Sequence, residues 1–503
     1  MTALPSTAQA RRTRAAVDAL RADLAGRRVT VVGGARSGLA AARMLAARGA
    51  AVFLTDHGPA DAGLEAALSS AGVAFEFGGH TARALDAELV VLSPGVPSTV
   101  PLVQQALAQR LPVVSEVEAA SWFCRGPIVA VTGSNGKTTT TSLIAHTFRT
   151  AGRKHVVAGN IGYPFSDYVD SVDAETAVIL EVSSFQLDHV VTFRPRVSVL
   201  LNVTPDHLDR YGHDLGRYAA AKYRVFEGQT PDDWLVYNAD DERVAGYAER
   251  WAAAHGVAPV PFSIERTLTR GAWVRPGADG REQIVLAMPA APDGLPRRAG
   301  GAPPHPSHPA APAAALMPTQ DLALRGRHNL YNSLASAVVA RAMEIRSDVV
   351  RESLTSFEGV PHRLERVRTV GGVDYVNDSK ATNVNAVWYA LESFDGAPAD
   401  RRVVLIAGGR DKGNDYAPLR RLVSEKVKGI VAIGEGADKV LAELGPLAER
   451  AEAAASMEEA LQYAGLMAEP GDTVLLSPAC ASFDMFDNYE DRGDTFKRLV
   501  QGL

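Results

Sequence analysis

The sequence predicts an α/β protein of three parallel-sheet domains, and three observations carry that prediction. Strand-like runs alternate with helix-period runs from Arg28 onward, and several of the strands are too continuously apolar to leave one face in water. Three of those strands run into a turn that opens a new strand–turn–helix unit. The length agrees, because 503 residues at about 150 per domain corresponds to three domains rather than one.

The first unit begins with the strand Val29-Thr-Val-Val-Gly33, turns, continues as a helix from Leu39 to Arg48, and returns as Ala51-Val-Phe-Leu-Thr55 before Asp56. Its loop, Gly33-Gly-Ala-Arg-Ser-Gly38, has the placement of a dinucleotide fingerprint, but Ala35 stands where the middle glycine belongs. Tight packing of helix on strand accounts for these glycines as well as a ligand does. Asp56, at a strand end, is suited to accept hydrogen bonds from a ribose or a base. Ser93-Pro-Gly95 follows another buried strand, Leu89–Leu92, at a strand C-terminus, where open α/β folds gather ligands.

The second unit opens on Ile128-Val-Ala-Val131 and carries the strongest local signal, Thr132-Gly-Ser-Asn-Gly-Lys-Thr-Thr139, ahead of a helix through Leu143, Ile144 and Phe148. Between Gly133 and Gly136, with Ser134 and Asn135, backbone N–H groups turn toward an anion, and the helix N-terminus adds partial positive charge. Lys137 reaches β and γ phosphates, and the Thr138 hydroxyl suits Mg²⁺, with Thr139 beside it. The spacing departs from a strict Walker A motif, since Val131 occupies the position of its first glycine.

Downstream, Glu181 ends the strand Ala177–Leu180, and Asn202-Val-Thr-Pro-Asp-His-Leu-Asp209 follows the strand Val197–Leu201. Glu181 and His207 thus stand at strand C-termini near the phosphate loop, where a carboxylate, an imidazole and a hydroxyl suit Mg²⁺ held mainly by substrate phosphates. Lys222 lies on a helix within Gly216–Arg224, where residue chemistry alone gives only a solvated lysine. Residues 288–319 are dense in Pro, Ala and Gly, which predicts a flexible insertion within the second domain. Arg327-His-Asn-Leu-Tyr-Asn-Ser333 then opens a helix whose Asn329 and Asn332 share a face, apt for a base edge or for capping. Pro361-His-Arg-Leu-Glu365 and Asn377-Asp-Ser-Lys-Ala-Thr-Asn383 are polar loops beside strands, and the third unit's long strand is Arg401–Gly408.

Composition narrows the function. Hydrophobic residues form 46% and charged residues 22%, ordinary for a globular chain. The 52 basic and 58 acidic side chains leave a net charge of −6, without the basic excess of a nucleic-acid binder. Cys124 and Cys480 are too few for a disulfide framework or a cysteine zinc cluster and fit a reducing compartment. The N-terminus, with Arg11, Arg12, Arg14 and Arg21, lacks the apolar core of a signal peptide, and no run reaches the roughly 18 apolar residues of a membrane span. A cytoplasmic enzyme engaging neither nucleic acid nor membrane is the expectation.

Taken together, these motifs resemble the ATP-dependent Mur ligases of peptidoglycan synthesis over nearly the whole chain. Asn377–Asn383 together with Leu476-Ser-Pro-Ala-Cys-Ala-Ser-Phe-Asp484 is similar to the D-glutamate-adding branch, and the Asp-Asn-Pro-Arg motif of the diaminopimelate-adding branch is absent. The resemblance implies a Rossmann-like N-terminal domain over 1–122, with 1–26 a polar extension. It also implies a central P-loop ATPase-like domain over 123–359 and a C-terminal Rossmann-like domain over 360–503. ATP phosphates and Mg²⁺ would meet Lys137, Thr138 and Thr139, with Glu181 and His207 around a second metal. Lys222 would be carbamylated by CO₂ to orient Mg²⁺. Asn329 and Asn332 would meet adenine, and Arg363 and Asp378 would meet ribose and phosphates. Arg36, Ser37, Asp56, Gly95 and Asn160 would bind the uridine nucleotide sugar, UDP-N-acetylmuramoyl-L-alanine. D-glutamate would be received by Lys380, Thr382, Lys412, Ser482 and Tyr489, cations being suited to its carboxylates. His207 is the candidate base for the incoming amine or, alternatively, a metal ligand. A monomer is expected. Two readings compete: a sister ligase, including the folylpolyglutamate type, and a nucleotide-binding protein of the same fold without catalysis.

Overall fold

The computed structural model describes residues 7–59, 62–206, 208–277, 280–288, 310–324, 326–394, 402–411 and 413–503. They form two compact units, Met1–Leu322 with Tyr331–Ser356, and Ala323–Leu330 with Phe357–Leu503.

The first unit holds two sheets. One comprises β1 (Arg28–Val32), β2 (Ala51–Thr55), β3 (Ala74–Glu76), β4 (Leu89–Leu92) and β5 (Val113–Ser115), all parallel in the order β3-β2-β1-β4-β5. The chain winds outward from β1 in one direction and then returns to add β4 on its other side. The loops after β1 and β4 therefore diverge and leave a crevice at the strands' C-terminal ends. The apolar runs that predicted two-sided burial are buried: Val29, Val31, Leu54, Leu89 and Val91 are all core residues.

The other sheet comprises β6 (Ile128–Thr132), β7 (His155–Gly159), β8 (Ala177–Glu181), β9 (Val197–Leu200), β10 (Trp234–Asn238), β11 (Pro259–Ser263), β12 (Gly271–Pro276), β13 (Glu282–Ala287) and β14 (Ala314–Pro318). Its order is β14-β13-β12-β11-β10-β9-β6-β8-β7, so β6 lies between β8 and β9 and the phosphate loop opens into the crevice they leave. The strands are parallel through β12, whereas β12, β13 and β14 form an antiparallel meander at the edge. The Pro/Ala-rich stretch is thus shorter as irregular chain than its composition predicts. Ala314–Pro318 pairs with β13 because Leu316 and Met317 supply apolar surface that is buried, while residues 289–309 lie outside the described residues. The expected polar extension likewise contains a helix, Thr7–Ala22, whose Val17 and Leu20 join the core.

One carboxylate couples these two sheets. Glu118, fully buried on the helix Glu116–Ser121 that follows β5, accepts N–H bonds from Val191 (2.9 Å), Thr192 (2.8 Å), Phe193 (2.8 Å) and the Trp122 indole (2.8 Å). On the same helix, Glu116 accepts from the backbone N–H (2.7 Å) and hydroxyl (2.6 Å) of Ser166. A buried charge is tolerated only when its partners are in place, and removing it leaves several donors desolvated. Glu118→Ala is expected to destabilise the first unit by about 3 kcal/mol, read as a lowered midpoint in urea. A change under about 1 kcal/mol would contradict the clamp.

The second unit has one sheet of β15 (Glu365–Val370), β16 (Val373–Asn377), β17 (Val403–Gly408), β18 (Val427–Ile433), β19 (Arg450–Ala454) and β20 (Thr473–Ala479). The order is β15-β16-β20-β17-β18-β19, parallel except for the antiparallel β15–β16 hairpin. Because β20 inserts between β16 and β17, the loops after all three strands converge at one end. Among the described residues, no helix is long and apolar enough to cross a membrane.

Candidate functional site

The glycine loop turns into a helix where its residues predict, but the N–H groups of Ser134 and Asn135, expected to face an anion, are taken by Asn202. Gly136, at φ +82°, ends the turn, and the helix Lys137–Thr150 begins at the next residue. A side chain at Gly136 would collide with Asn332 Oδ1, so glycine is needed both for backbone conformation and for close approach. The loop is held from β9's C-terminal extension: Ser134 N–H donates to Asn202 O (3.0 Å), Asn135 N–H to Asn202 Oδ1 (2.8 Å), and Asn202 Nδ2 to Asn135 O (3.1 Å). Thr204 N–H donates to Ser134 Oγ (3.0 Å). Asn202 and Thr204 were not singled out from sequence, although polar residues directly after a buried strand beside a phosphate loop are a usable signal.

Two lysines share this loop. Lys137 Nζ donates to Gly133 O and Ser134 O, both at 2.9 Å, and Lys222 Nζ donates to Gly133 O at 2.8 Å. Lys222 is 1% exposed, so its structural setting is the opposite of a solvated helix lysine. Burial, reinforced by the neighbouring Lys137 charge, holds its amine well below the ordinary 10.5, against opposing pulls from Asp206, Glu181 and Asp188. Tyr218, one turn earlier, lies with its ring 4.5 Å from Lys222 Nζ.

Glu181 is also buried. Its Oε1 accepts from Asn160 Nδ2 (2.7 Å), while Oε2 is buried without a hydrogen-bond partner. Such an oxygen beside a phosphate loop fits a hard cation, which would satisfy it directly. Among the described residues no three His, Cys, Asp or Glu side chains gather as a metal site by themselves, so further oxygens would have to come from phosphates or a modified side chain. His207 lies outside the described residues.

Asp188 borders this cluster and was not found from sequence. It accepts from the Tyr211 hydroxyl (2.9 Å), and burial pushes its carboxyl up to about 6, despite Arg224, Arg210 and Lys222. Its ordinary value is 3.8, so between about pH 4 and 6 the folded state binds more protons than the unfolded one, and this site's contribution to stability falls as pH rises. Asp188→Asn keeps a carbonyl acceptor for Tyr211 without the charge. It is expected to raise the melting temperature by a few degrees at pH 7.5, with the gain vanishing by about pH 4. An equal gain at both pH values would overturn this account.

The helix Arg327–Ala342 carries both Asn329 and Asn332, each buried. Asn332 Oδ1 accepts from Thr140 Oγ1 (3.1 Å), which ties the helix to the phosphate loop's own helix.

At the first sheet's crevice, Asp56 accepts N–H bonds from Gly34 (2.5 Å) and Gly58 (2.6 Å), and Ser93 Oγ donates to Gly33 O (2.9 Å). A side chain at Gly38 would collide with Gly33 O, so the packing explanation of these glycines holds whatever the loop binds. Arg36, Ser37 and Gly95 stand around this crevice, with Arg36 and Gly95 exposed; Asn160, in the second sheet's part of the unit, donates to Glu181 Oε1.

In the second unit, the loops after β16 and β20 meet. Asp378, buried, accepts from Leu364 N–H (3.2 Å) and Ser477 Oγ (2.8 Å), and burial raises its carboxyl to about 6 against the pull of Arg363. Arg363 Nε is buried without a partner. Lys380 Nζ stands 5.2 Å from the Tyr489 ring, Thr382 follows in the same loop, and Ser482 is 2% exposed after β20. Sequence reading missed Arg492, which is fully buried and donates to Ser379 Oγ (3.0 Å), Ser379 O (2.8 Å) and Cys480 O (3.2 Å), stapling the two loops. Lys412 lies outside the described residues.

Three family models match in succession: "Mur ligase MurD-like, N-terminal domain" over residues 27–115, "Mur ligase middle domain" over 131–284, and "Mur ligase, glutamate ligase domain" over 362–480. The UDP-N-acetylmuramoylalanine–D-glutamate ligase of Salinibacter ruber is 59% identical, covering 95% of this chain and 98% of that one. The ligase of the same name from Chloroherpeton thalassium is 44% identical, covering 96% and 99%. Among solved structures, UDP-N-acetylmuramate-alanine ligase MurC of Thermotoga maritima superposes with a TM-score of 0.54 at 19% identity, over 95% of this chain and 99% of that one. MurF ligase of the same organism, in complex with ADP, gives 0.54 at 18% over 95% and 96%. Those two likenesses establish the three-domain α/β fold. The chain therefore belongs to the Mur ligase family and, within it, to the UDP-N-acetylmuramoylalanine–D-glutamate ligases.

Proposed function

We infer that the protein joins D-glutamate to UDP-N-acetylmuramoyl-L-alanine at the expense of ATP, releasing ADP and phosphate, as a cytoplasmic monomer in peptidoglycan precursor synthesis. The observation that carries the chemistry is the buried pair of Lys222 and Glu181 around a phosphate loop, in a chain 59% identical to a ligase of that name.

The L-alanyl carboxylate attacks the γ-phosphorus of ATP, forming an acyl phosphate and ADP. Lys137 and the N-terminus of the helix Lys137–Thr150 offset charge on the transferring phosphoryl group. Mg²⁺, when bound, would neutralise phosphate charge, held by Thr138, Glu181, His207 and a carbamate on Lys222. The neutral amine of Lys222 is the form that adds CO₂, giving a carbamate and one proton. The D-glutamate amine, deprotonated by His207 when that imidazole is not a metal ligand and by solvent otherwise, then attacks the acyl carbon, and the tetrahedral intermediate expels phosphate. Asn329, Asn332, Arg363 and Asp378 serve the nucleotide. Arg36, Ser37, Asp56, Gly95 and Asn160 serve the UDP-sugar, and Lys380, Thr382, Lys412, Ser482 and Tyr489 serve D-glutamate. This divides the chain functionally at about residues 122 and 359.

Phosphate release from ATP with UDP-N-acetylmuramoyl-L-alanine, across a panel of amino acids, tests the reading. Release with D-glutamate alone, matched by product mass, is expected. Release with another amino acid would reassign the chain to a sister activity, and none with any would leave a nucleotide-binding protein.

A further inference from the structure

Arg363 sits on a turn whose flanking residues adopt an unfavourable conformation. His362 has φ +61° and Leu364 φ +45°, in the left-handed region that bulky side chains rarely enter. Such conformations persist only where the surroundings over-determine them. The surroundings here centre on Asn377, the last residue of β16, which is fully buried.

The amide of Asn377 is oriented by its partners. Ser379 N–H donates to Asn377 Oδ1 (3.1 Å), and an N–H requires the oxygen there, so Nδ2 must face the other way. Nδ2 meets Glu365 Oε2 (3.1 Å), His362 Nδ1 (3.0 Å) and, at 3.4 Å, Gly493 O. Since Nδ2 can only donate, His362 Nδ1 must present a lone pair, and the ring proton resides on Nε2, which lies 3.8 Å from Asp494 Oδ1. The backbone N–H of His362 donates to the same Glu365 oxygen (2.8 Å). On the remaining side the ring abuts Gly493, where any side chain would collide with Nδ1. The charged groups facing the ring are Glu365 from β15 and Glu490, Asp494 and Lys497 from the helix Tyr489–Gln501; Arg363 is its chain neighbour. Burial, aided by Lys497, keeps the imidazole below its ordinary value, in keeping with a neutral ring.

We propose that Asn377 is a positioning residue: its amide holds His362 as the Nε2–H tautomer and thereby locks the turn that presents Arg363. The functional part of this proposal rests on the reading of Arg363 as a nucleotide-binding residue.

The test uses the full-length enzyme labelled with ¹⁵N-histidine, with His362→Gln to assign the resonances. At pH 7.5 the His362 ring is expected to be neutral with Nε2 protonated. In Asn377→Asp a carboxylate oxygen faces Nδ1, so the ring is expected to become imidazolium at the same pH, and KM for ATP to rise about tenfold. KM for the nucleotide sugar should stay within about twofold; D-glutamate is a poor control because Lys380 N–H donates to His362 O (3.0 Å). Gly493→Ala improves helix propensity yet displaces the ring, and the same rise in KM for ATP is expected. A wild-type ring protonated on Nδ1, or an Asn377→Asp ring unchanged in charge, would overturn the proposal. Should Asn377→Asp not fold, the wild-type spectrum and Gly493→Ala decide. The expected spectra with KM for ATP unchanged in both variants would instead overturn the nucleotide reading of Arg363.

Discussion

Lys137→Ala is expected to lower kcat for ATP-dependent phosphate release by at least about a hundredfold, while the protein stays folded. Two effects combine. Lys137 is the first residue of the helix Lys137–Thr150, and its ammonium, bonded to Gly133 O and Ser134 O, stands in the loop that would receive the phosphates. Losing it removes a cation from the transferring phosphoryl group. It also removes a charge that helps lower the proton affinity of Lys222, so the neutral amine that adds CO₂ would be less favoured. Lys137→Arg keeps a charge but not a compact ammonium and should recover only part of the activity. Turnover within about tenfold of wild type in Lys137→Ala would refute the assignment.

Lys222→Ala is the second large effect: a loss of about a hundredfold or more, partly restored by short carboxylic acids that fill the vacated space with a carboxylate. Full activity without added acid, or none with it, would count against the carbamate. Stability should move the other way. The amine of Lys222 is held below its ordinary 10.5, so the unfolded chain binds more protons than the folded one and the site's contribution to stability rises with pH. Lys222→Met removes that term. In CO₂-depleted buffer it is expected to raise the melting temperature at pH 7, with the gain shrinking as pH approaches 10.5. A variant less stable than wild type at every pH would contradict the unfavourable burial inferred for this lysine.

Much of this architecture was legible from local chemistry. The strands β1, β4, β6, β8 and β9 stand where continuous apolar runs put them, because a strand buried on both faces needs no information beyond its own composition. The glycine loop was equally plain, since Gly133, Gly136 and Lys137 shape it within one turn of chain. The antiparallel edges were not legible: β14 is short, alanine-rich and separated from its partner by a long Pro/Ala segment, so its pairing depends on an edge that sequence does not display. Arg492, and the packing role of Asn377 within its motif, were hidden for a related reason, as their hydrogen-bond partners come from other strands or loops.

The sequence by itself determined the fold class, the glycine loop between β6 and the following helix and, through its motifs, the family. Lys222 marks the limit of that reading: on its helix it is one more lysine, and only the packing that brings it to Gly133 and Glu181 turns it into a buried amine. The same holds for the orphaned Glu181 oxygen and for the orientation of the Asn377 amide. Local patterning decides which residues form strands and turns because that information lies within a few residues. Desolvation and proton placement depend on groups far apart in the chain, and the tertiary structure alone sets them.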